Sequence, residues 1–368
     1  MAAGDFFWLP FWRPPRASSM SAPSRALLDW FDRARRDLPW RQNRDPYAIW
    51  VSEIMLQQTR VDTVIPYFEK FLERFPTVDE LAAAPLDEVL ALWSGLGYYR
   101  RARMLHRAAA EIAAAGSFPR SAKELQRLPG IGPYTAAAVA SIAFDEPVAV
   151  LDGNVERVIA RRIALDEPPR GAAAKRILRR EAGSLLDAAR PGDSNQALME
   201  LGALVCRPSA PRCDECPLAG GCRARRQGDP EAYPRPVEKR ATERQRRVAV
   251  LVEREGKVLL FRRPDDDELL AGIWEVPWVQ RDGDGDGDGD GDGIERRLAT
   301  RYGGSWRLGE TLRMVRHGIT YRDLEVEIRR GERCGEAEVR ESLEAGWFDR
   351  EEIDGLPTSS LLKKLLAL

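Results

Sequence analysis

The apolar pattern of this chain changes period once, near residue 247, and that change demands two folds rather than one. From 24 to about 205, apolar residues recur at helical spacing, as in ALLDWFDRARRD, YAIWVSEIMLQQTRVDTVIPYFEKFLERF and LDEVLALWSGL. Pro39, Pro46, Pro76, Pro85, Gly116, Pro129 and Pro147 punctuate this region, and no strand-like alternation interrupts it. It reads as a compact all-α domain. Beyond 247 the texture is β-rich. VAVLVEREGKVLLFRR reads as a hairpin around a Glu-Gly turn, and GIWEVPWV as another strand. IERRLATRYGG reads as a short helix, WRLGETLRMVRHGITYRDLEVEIRR as two or three strands, and the chain closes with a turn and a helix. This is a small α+β domain. A length of 368 residues accommodates both.

The expected organisation is a disordered leader over 1–23, a helical domain over 24–222, a linker over 223–247 and the α+β domain over 248–368. The leader is aromatic and Pro-rich, without the aliphatic stretch of a secretory signal; a start site at Met20 is the alternative. No apolar run approaches the roughly 20 residues that span a bilayer, so no membrane partner is expected. The linker is polar and Pro-containing. The Gly-Asp repeat at 282–293 reads as a flexible loop, and its regular alternation lacks the spacing of a calcium loop.

The formal net charge of −1 argues weakly against a nucleic-acid partner, but six aspartates of that repeat dominate it, and the remainder carries +5. Basic residues are also clustered: GYYRRARMLHR at 97–107 holds four arginines, and 223–247 holds nine basic residues against four acidic. Phosphate contact requires such local patches, although any one of them can be a solvated helix face.

Four of the five cysteines, Cys206, Cys213, Cys216 and Cys222, lie within seventeen residues as C-x6-C-x2-C-x5-C. Such crowding points to a metal site in a reducing cytoplasm rather than to disulfides. Four thiolates can wrap a tetrahedral zinc or an iron–sulfur cubane. Zinc usually takes two close-spaced pairs; only one is present here, which favours the cluster. Cys334 stands apart and reads as inert. In LPGIGPYTAAAVA, Gly130 and Gly132 permit positive φ and lead into a helix N-terminus, an arrangement that can hold a phosphate. It can equally be an ordinary helix–helix connector. Glu53, in WVSEIMLQQTRV, stands among Trp50, Val51, Ile54, Met55 and Leu56, company in which a carboxyl can stay protonated near neutrality. Asp152, in AVLDGNVERVIARRI, precedes a helix and is also a natural N-cap.

SEIMLQQT, LPGIGPY, LDGNV and the cysteine spacing together resemble the adenine DNA glycosylases of the MutY type, within the endonuclease III or helix–hairpin–helix superfamily. The resemblance is strong over 30–222 and weaker over 248–360. It implies a helix–hairpin–helix glycosylase domain with one 4Fe–4S cluster on the four cysteines, followed by a NUDIX-like (MutT-like) domain. It implies a monomer acting on double-stranded DNA with A:8-oxoguanine or A:G mispairs, in the cytoplasm at a bacterial nucleoid. Glu53 would protonate N7 of adenine, and Asp152 would face the cationic sugar or form a transient adduct with it. Asn154 would orient Asp152 or a water. Gln58 and Tyr98 would enter the duplex where the base has flipped out, and Leu38, Arg41 and Gln196 would border the adenine. Trp40 reads as packing. Gln196 stands where some relatives carry Glu. Tyr134 stands where lyase members carry the Schiff-base Lys, which implies a monofunctional glycosylase. In the second domain GIWEVP matches the strand before the NUDIX box, but the glutamates of the box are missing, so recognition rather than hydrolysis is expected. His317, in VRHGITY, would sense 8-oxoguanine. The rival readings are an endonuclease III-like glycosylase/lyase for oxidised pyrimidines, a NUDIX hydrolase of damaged nucleotides and a non-catalytic DNA-binding protein.

Overall fold

The computed structural model describes residues 21–237, 240–265, 267, 270–281, 291–334 and 343–367. Most of the segment read as leader, and residues 282–290 of the Gly-Asp repeat, lie outside the described residues. Among the described residues eleven α-helices precede the cysteine segment: α1 (Ala22–Ala34), α2 (Pro46–Met55), α3 (Val61–Arg74), α4 (Val78–Ala83), α5 (Leu86–Leu92), α6 (Arg100–Ala115), α7 (Ala122–Leu125), α8 (Pro133–Phe144), α9 (Gly153–Ile163), α10 (Ala172–Gly183) and α11 (Pro191–Leu204). The short helix α12 (Arg223–Arg226) follows the cysteines. Local chemistry sets many of the starts. Ser21, Asp45, Thr77, Ser121 and Asp152 each accept a first-turn N–H with the side chain, and Ser121 and Glu124 form a reciprocal capping box. Among the described residues no helix is long and apolar enough to cross a membrane.

Two compact units form, and their boundaries cut across the helical region: 21–36 with 140–237, and 37–139 with the described residues beyond 240. In the first, α1 buries Leu27, Leu28 and Phe31. The carboxylate of Glu200 on α11 is 1% exposed and would be costly if unpaired. Arg36 answers it with Nε and Nη2 at 2.8 and 2.9 Å and with its backbone N–H at 3.0 Å.

In the second unit the helical part is built on buried aromatics, with Phe71 stacked edge-on against both Phe75 and Trp93. The α+β part comprises β1 (Glu243–Leu251), β2 (Glu253–Arg254), β3 (Lys257–Arg262), β4 (Trp274–Glu275), β5 (Trp278–Gln280), α13 (Gly291–Tyr302), β6 (Ser305–Ile319), β7 (Arg322–Cys334), β8 (Ala345–Phe348), α14 (Arg350–Asp354) and α15 (Ser360–Leu366). One sheet has the order β5-β1-β7-β6, with β1 and β7 parallel; in the other, β3 pairs with β2, β4 and β8. Alternation on β1 feeds two cores. Val248 and Val250 join Phe261, Leu298 and Trp306, whereas Ala249 and Leu251 join Val326, Ile328 and Leu362. The hairpin expected over VAVLVEREGKVLLFRR is therefore smaller than its sequence pattern. Only β2 and β3 pair around Glu255-Gly256; the chain leaves the first sheet after Leu251, and β1 takes its partners from far along the sequence. Within this unit Ser94 donates from its hydroxyl to the carbonyl of Thr358 at 2.9 Å, the Tyr99 hydroxyl donates to the same carbonyl, and Arg262 pairs with Asp87 at 2.8 Å.

Candidate active site

Glu53 sits in the second half of α2, a helix buried from Tyr47 to Met55. An amphipathic surface helix would expose its glutamate; this one leaves Glu53 only 5% exposed. The hairpin delivers its partner. α7 ends at Leu125, the chain turns through Pro129-Gly130-Ile131-Gly132, and α8 starts with Pro133 and Tyr134. The Tyr134 hydroxyl donates to Glu53 Oε2 at 2.5 Å, and beside it Gln57 Nε2 donates to Thr135 Oγ1 at 3.2 Å.

Beyond α2 the backbone turns left-handed at Gln58 (φ +60°), and before α6 it does so again at Tyr98 (φ +52°). Such φ values are uncommon for residues other than glycine and gather at functional sites. Both side chains are exposed, Tyr98 by 44%. Gln58, Tyr98, Gly130 and His317 all line one cavity of about 900 Å³ within this unit. Four residues expected to face DNA thus share a concave surface. Glu53, Leu38, Arg41 and Gly132 are not among its lining residues. Leu38 is buried and precedes a tight turn over Pro39–Arg41; Arg41 is half-buried. Trp40 packs edge-on against Phe68 at 5.4 Å, in its expected structural role. His317 lies half-buried near the end of β6, opposite Leu324, and burial, with the charge of Lys364 adding to it, holds its pKa below the ordinary histidine value.

The two glycines of the turn differ in backbone geometry. Gly130 does use positive φ (+76°), and a Cβ there would lie 2.5 Å from that of Met104. Gly132 does not adopt positive φ, and a Cβ there would meet no atom within 4 Å, so the packing of the protein places no demand on it. The arginines of 97–107 are also not all available to phosphates. Arg103 Nη2 donates to the carbonyl of Ala271 at 2.7 Å and lies 3.2 Å from Asp265, and Arg101 is turned onto backbone carbonyls.

The other unit carries Asp152, Asn154 and Gln196. Asp152 caps α9 as a good N-cap should: Oδ1 accepts from Val155 N at 2.7 Å, and Oδ2 accepts from Asn154 Nδ2 at 2.9 Å. Asn154 Oδ1 accepts from Arg157 Nη2 at 2.9 Å, and Arg157 also reaches the carbonyls of Gly202 and Cys206 at 2.9 and 2.8 Å. A Cβ on Gly202 would lie 2.6 Å from that of Asn154, so glycine alone permits this approach of α11 to α9. Gln196 is half-buried on α11. Its neighbour Asn195, fully buried, was not expected from the sequence. It donates to the Ser141 hydroxyl and the Val148 carbonyl, both at 2.8 Å, and accepts from Val150 N at 3.1 Å. It thereby clamps the extended approach to Asp152. A carboxamide close to the apolar Ala197 and Leu198 was the available signal.

The four clustered cysteines line one cavity, and Arg161, 2% exposed, braces their loop through the carbonyls of Arg207 and Pro208 at 2.6 and 2.8 Å. Burial pushes the Cys216 thiol up to about 11, and Cys213 is raised by the same cause with neighbouring thiols adding to it. Among the described residues no three Cys, His, Asp or Glu side chains converge on a single-ion position.

Residues 51–181 match the sequence model of the HhH-GPD superfamily base excision DNA repair proteins. The chain belongs to the HhH-GPD superfamily. Residues 247–368 of this HhH-GPD protein match a NUDIX domain model. It is similar to the adenine DNA glycosylases of Rattus norvegicus, with 40% identity over 71% of this chain and 61% of that one, and of Homo sapiens, with 39% identity over 69% and 57%. The chain thus spans about three fifths of the length of these curated relatives. A solved thermostable thymine-DNA glycosylase aligns with TM-score 0.50 and 30% identity, over 55% of this chain and 95% of that one. The hairpin, with Tyr134 and Glu53, and Asp152 on α9 all fall inside the HhH-GPD match.

Proposed function

We propose that this protein is a monofunctional adenine DNA glycosylase of base excision repair, acting as a monomer on duplex DNA with adenine opposite 8-oxoguanine or guanine. The observation that carries the reading is the buried Glu53 with the phenol of Tyr134, rather than an amine, on its carboxyl. A buried carboxyl is suited to general-acid work, and a phenol cannot form a Schiff base with the sugar. Kinship with the adenine DNA glycosylases of rat and man supports adenine as the base.

In this mechanism Gln58 and Tyr98 enter the duplex, and adenine leaves the stack. The backbone near Gly130 and Gly132 and the N-terminus of α8 grip a phosphate. Leu38, Arg41 and Gln196 border the base, and His317 reads the opposing 8-oxoguanine. Glu53 gives its proton to N7. The N9–C1′ bond breaks, and its electron pair leaves with adenine. Asp152, held by Asn154, offsets the positive charge on the sugar. Water then adds at C1′, and its released proton goes to a carboxylate. The product is an abasic site.

Cys206, Cys213, Cys216 and Cys222 would hold a 4Fe–4S cluster, which orders their loop. The donor set fits: four thiols line one cavity, and thiols give up their protons when they bind a cationic metal centre. The expected place of work is the cytoplasm, at the nucleoid. The deciding assay incubates the protein with a duplex carrying adenine opposite 8-oxoguanine, with Asp152→Asn as control. Free adenine and an abasic site without coupled strand scission are expected. Scission in step with base release points instead to a lyase, and an untouched duplex ends the proposal.

A further inference from the structure

Arg101, at the start of α6, has none of the roles assigned above. Its guanidinium is turned away from solvent onto two separate loops. Nη1 lies 2.8, 2.9 and 2.5 Å from the carbonyls of Ile54, Met55 and Gln57. Nη2 lies 3.0 and 3.2 Å from the carbonyls of Gly97 and Leu96, and 3.3 Å from the Thr59 hydroxyl. The rings of Trp93 and Tyr98 flank the cation, with centroids 5.3 and 5.6 Å from its central carbon.

The first set of acceptors belongs to the C-terminal end of α2 and the residue before Gln58. The second joins the two residues just before Tyr98 to Thr59, the residue after Gln58. Helix-terminal carbonyls lack intrahelical donors and sit at the negative end of the helix dipole, so a cation answers both needs. Gln58 and Tyr98 are two of the exposed, left-handed residues that line the same cavity, Thr320 being another. A non-glycine residue stays left-handed only where its surroundings over-determine it. Here one planar fork reaches both loops, and Trp93 Nε1 adds a second donor to the Gly97 carbonyl at 3.2 Å. A lysine ammonium donates from a single point and cannot bridge them in the same way.

We propose that Arg101 is a positioning residue that holds Gln58 and Tyr98 in their left-handed geometry, so that extrusion of the base depends on a side chain facing the protein's own carbonyls. This inference rests on the adenine-excision reading. The test uses the full chain with Arg101→Lys and Arg101→Met. Three quantities are read: amide exchange in 56–60 and 95–99, the fluorescence of 2-aminopurine placed opposite guanine, and single-turnover adenine release. Release is measured from an ordinary mispair and from a duplex whose adenine is already unstacked by flanking abasic sites.

For Arg101→Lys, exchange in both loops should rise about tenfold while the remaining helices keep wild-type protection. The fluorescence gain on binding should fall by about half or more, and adenine release should slow about tenfold on the ordinary mispair but only about twofold on the unstacked duplex. Unchanged exchange in the two loops overturns the proposal. So does an equal loss on both duplexes accompanied by increased exchange throughout the unit, which is the mark of a general folding role. A wild-type chain that releases no adenine from either duplex overturns the adenine-excision reading instead; the clamp is then judged on the exchange of the two loops alone.

Discussion

The surroundings of Glu53 and Asp152 answer the same chemical group in opposite ways. Glu53 lies on a helix buried on every side, with a phenol on its carboxyl. Asp152 is half-buried at a helix N-terminus and receives a backbone N–H and a carboxamide N–H, one on each oxygen. Donors from a helix N-terminus favour a carboxylate, and removal from water favours a carboxylic acid. In the proposed mechanism the buried carboxyl gives the proton and the capping carboxyl faces the cation.

Removing the charge of one carboxyl or the proton of the other should have the largest effect. Asp152→Asn keeps a good N-cap and removes the anion, and Glu53→Gln keeps the volume and removes the proton. Each should lower single-turnover adenine release by about 10²- to 10⁴-fold with the fold intact. If Glu53→Gln kept full rate, the assignment of the buried carboxyl would be wrong.

A middle-sized effect tests the support of Asp152. Asn195→Ala leaves Val150 N–H and Val148 C=O without their buried partner. The expected loss is about 1–3 kcal/mol of stability in denaturant titration, together with slower adenine release because the approach to Asp152 is loosened. Unchanged stability would mean that the clamp is idle.

The smallest effect concerns His317. Its pKa is lowered in the folded chain, chiefly by burial, so the unfolded chain takes up the proton first. Its contribution to stability is complete above about pH 6.5 and declines as pH falls below that value. The melting temperature of His317→Gln should therefore fall less than that of the wild type between neutral and mildly acidic pH. Parallel curves would show that the imidazole does not feel its burial.

Much of this was legible in the sequence because the signals are local. The period change near 247 marked where helices give way to strands, and LDGNV exposed Asp152 both as a cap and as a candidate for chemistry. Family-like motifs singled out Gln58, Tyr98 and His317, which the structure gathers around one cavity. What was not legible is non-local. β1 reads as one arm of a hairpin because its neighbour in sequence is β-rich, yet its long partner is the parallel β7. Arg101 reads as one of four surface cations because its acceptors are backbone carbonyls, which no residue pattern displays. The clamp made by Asn195 is likewise non-local, because its partners Ser141, Val148 and Val150 lie in a distant stretch of the chain.

The Thr358 carbonyl accepts from both Ser94 and Tyr99, and Tyr99 is the immediate neighbour of Tyr98. In genetic terms, a nonsense change just upstream of Thr358 would not be a harmless loss of tail. It would strip a shared acceptor from two buried hydroxyls, one of them the immediate neighbour of Tyr98. A truncated allele of that kind should behave as a lesion of the helical portion, although every codon of that portion is intact.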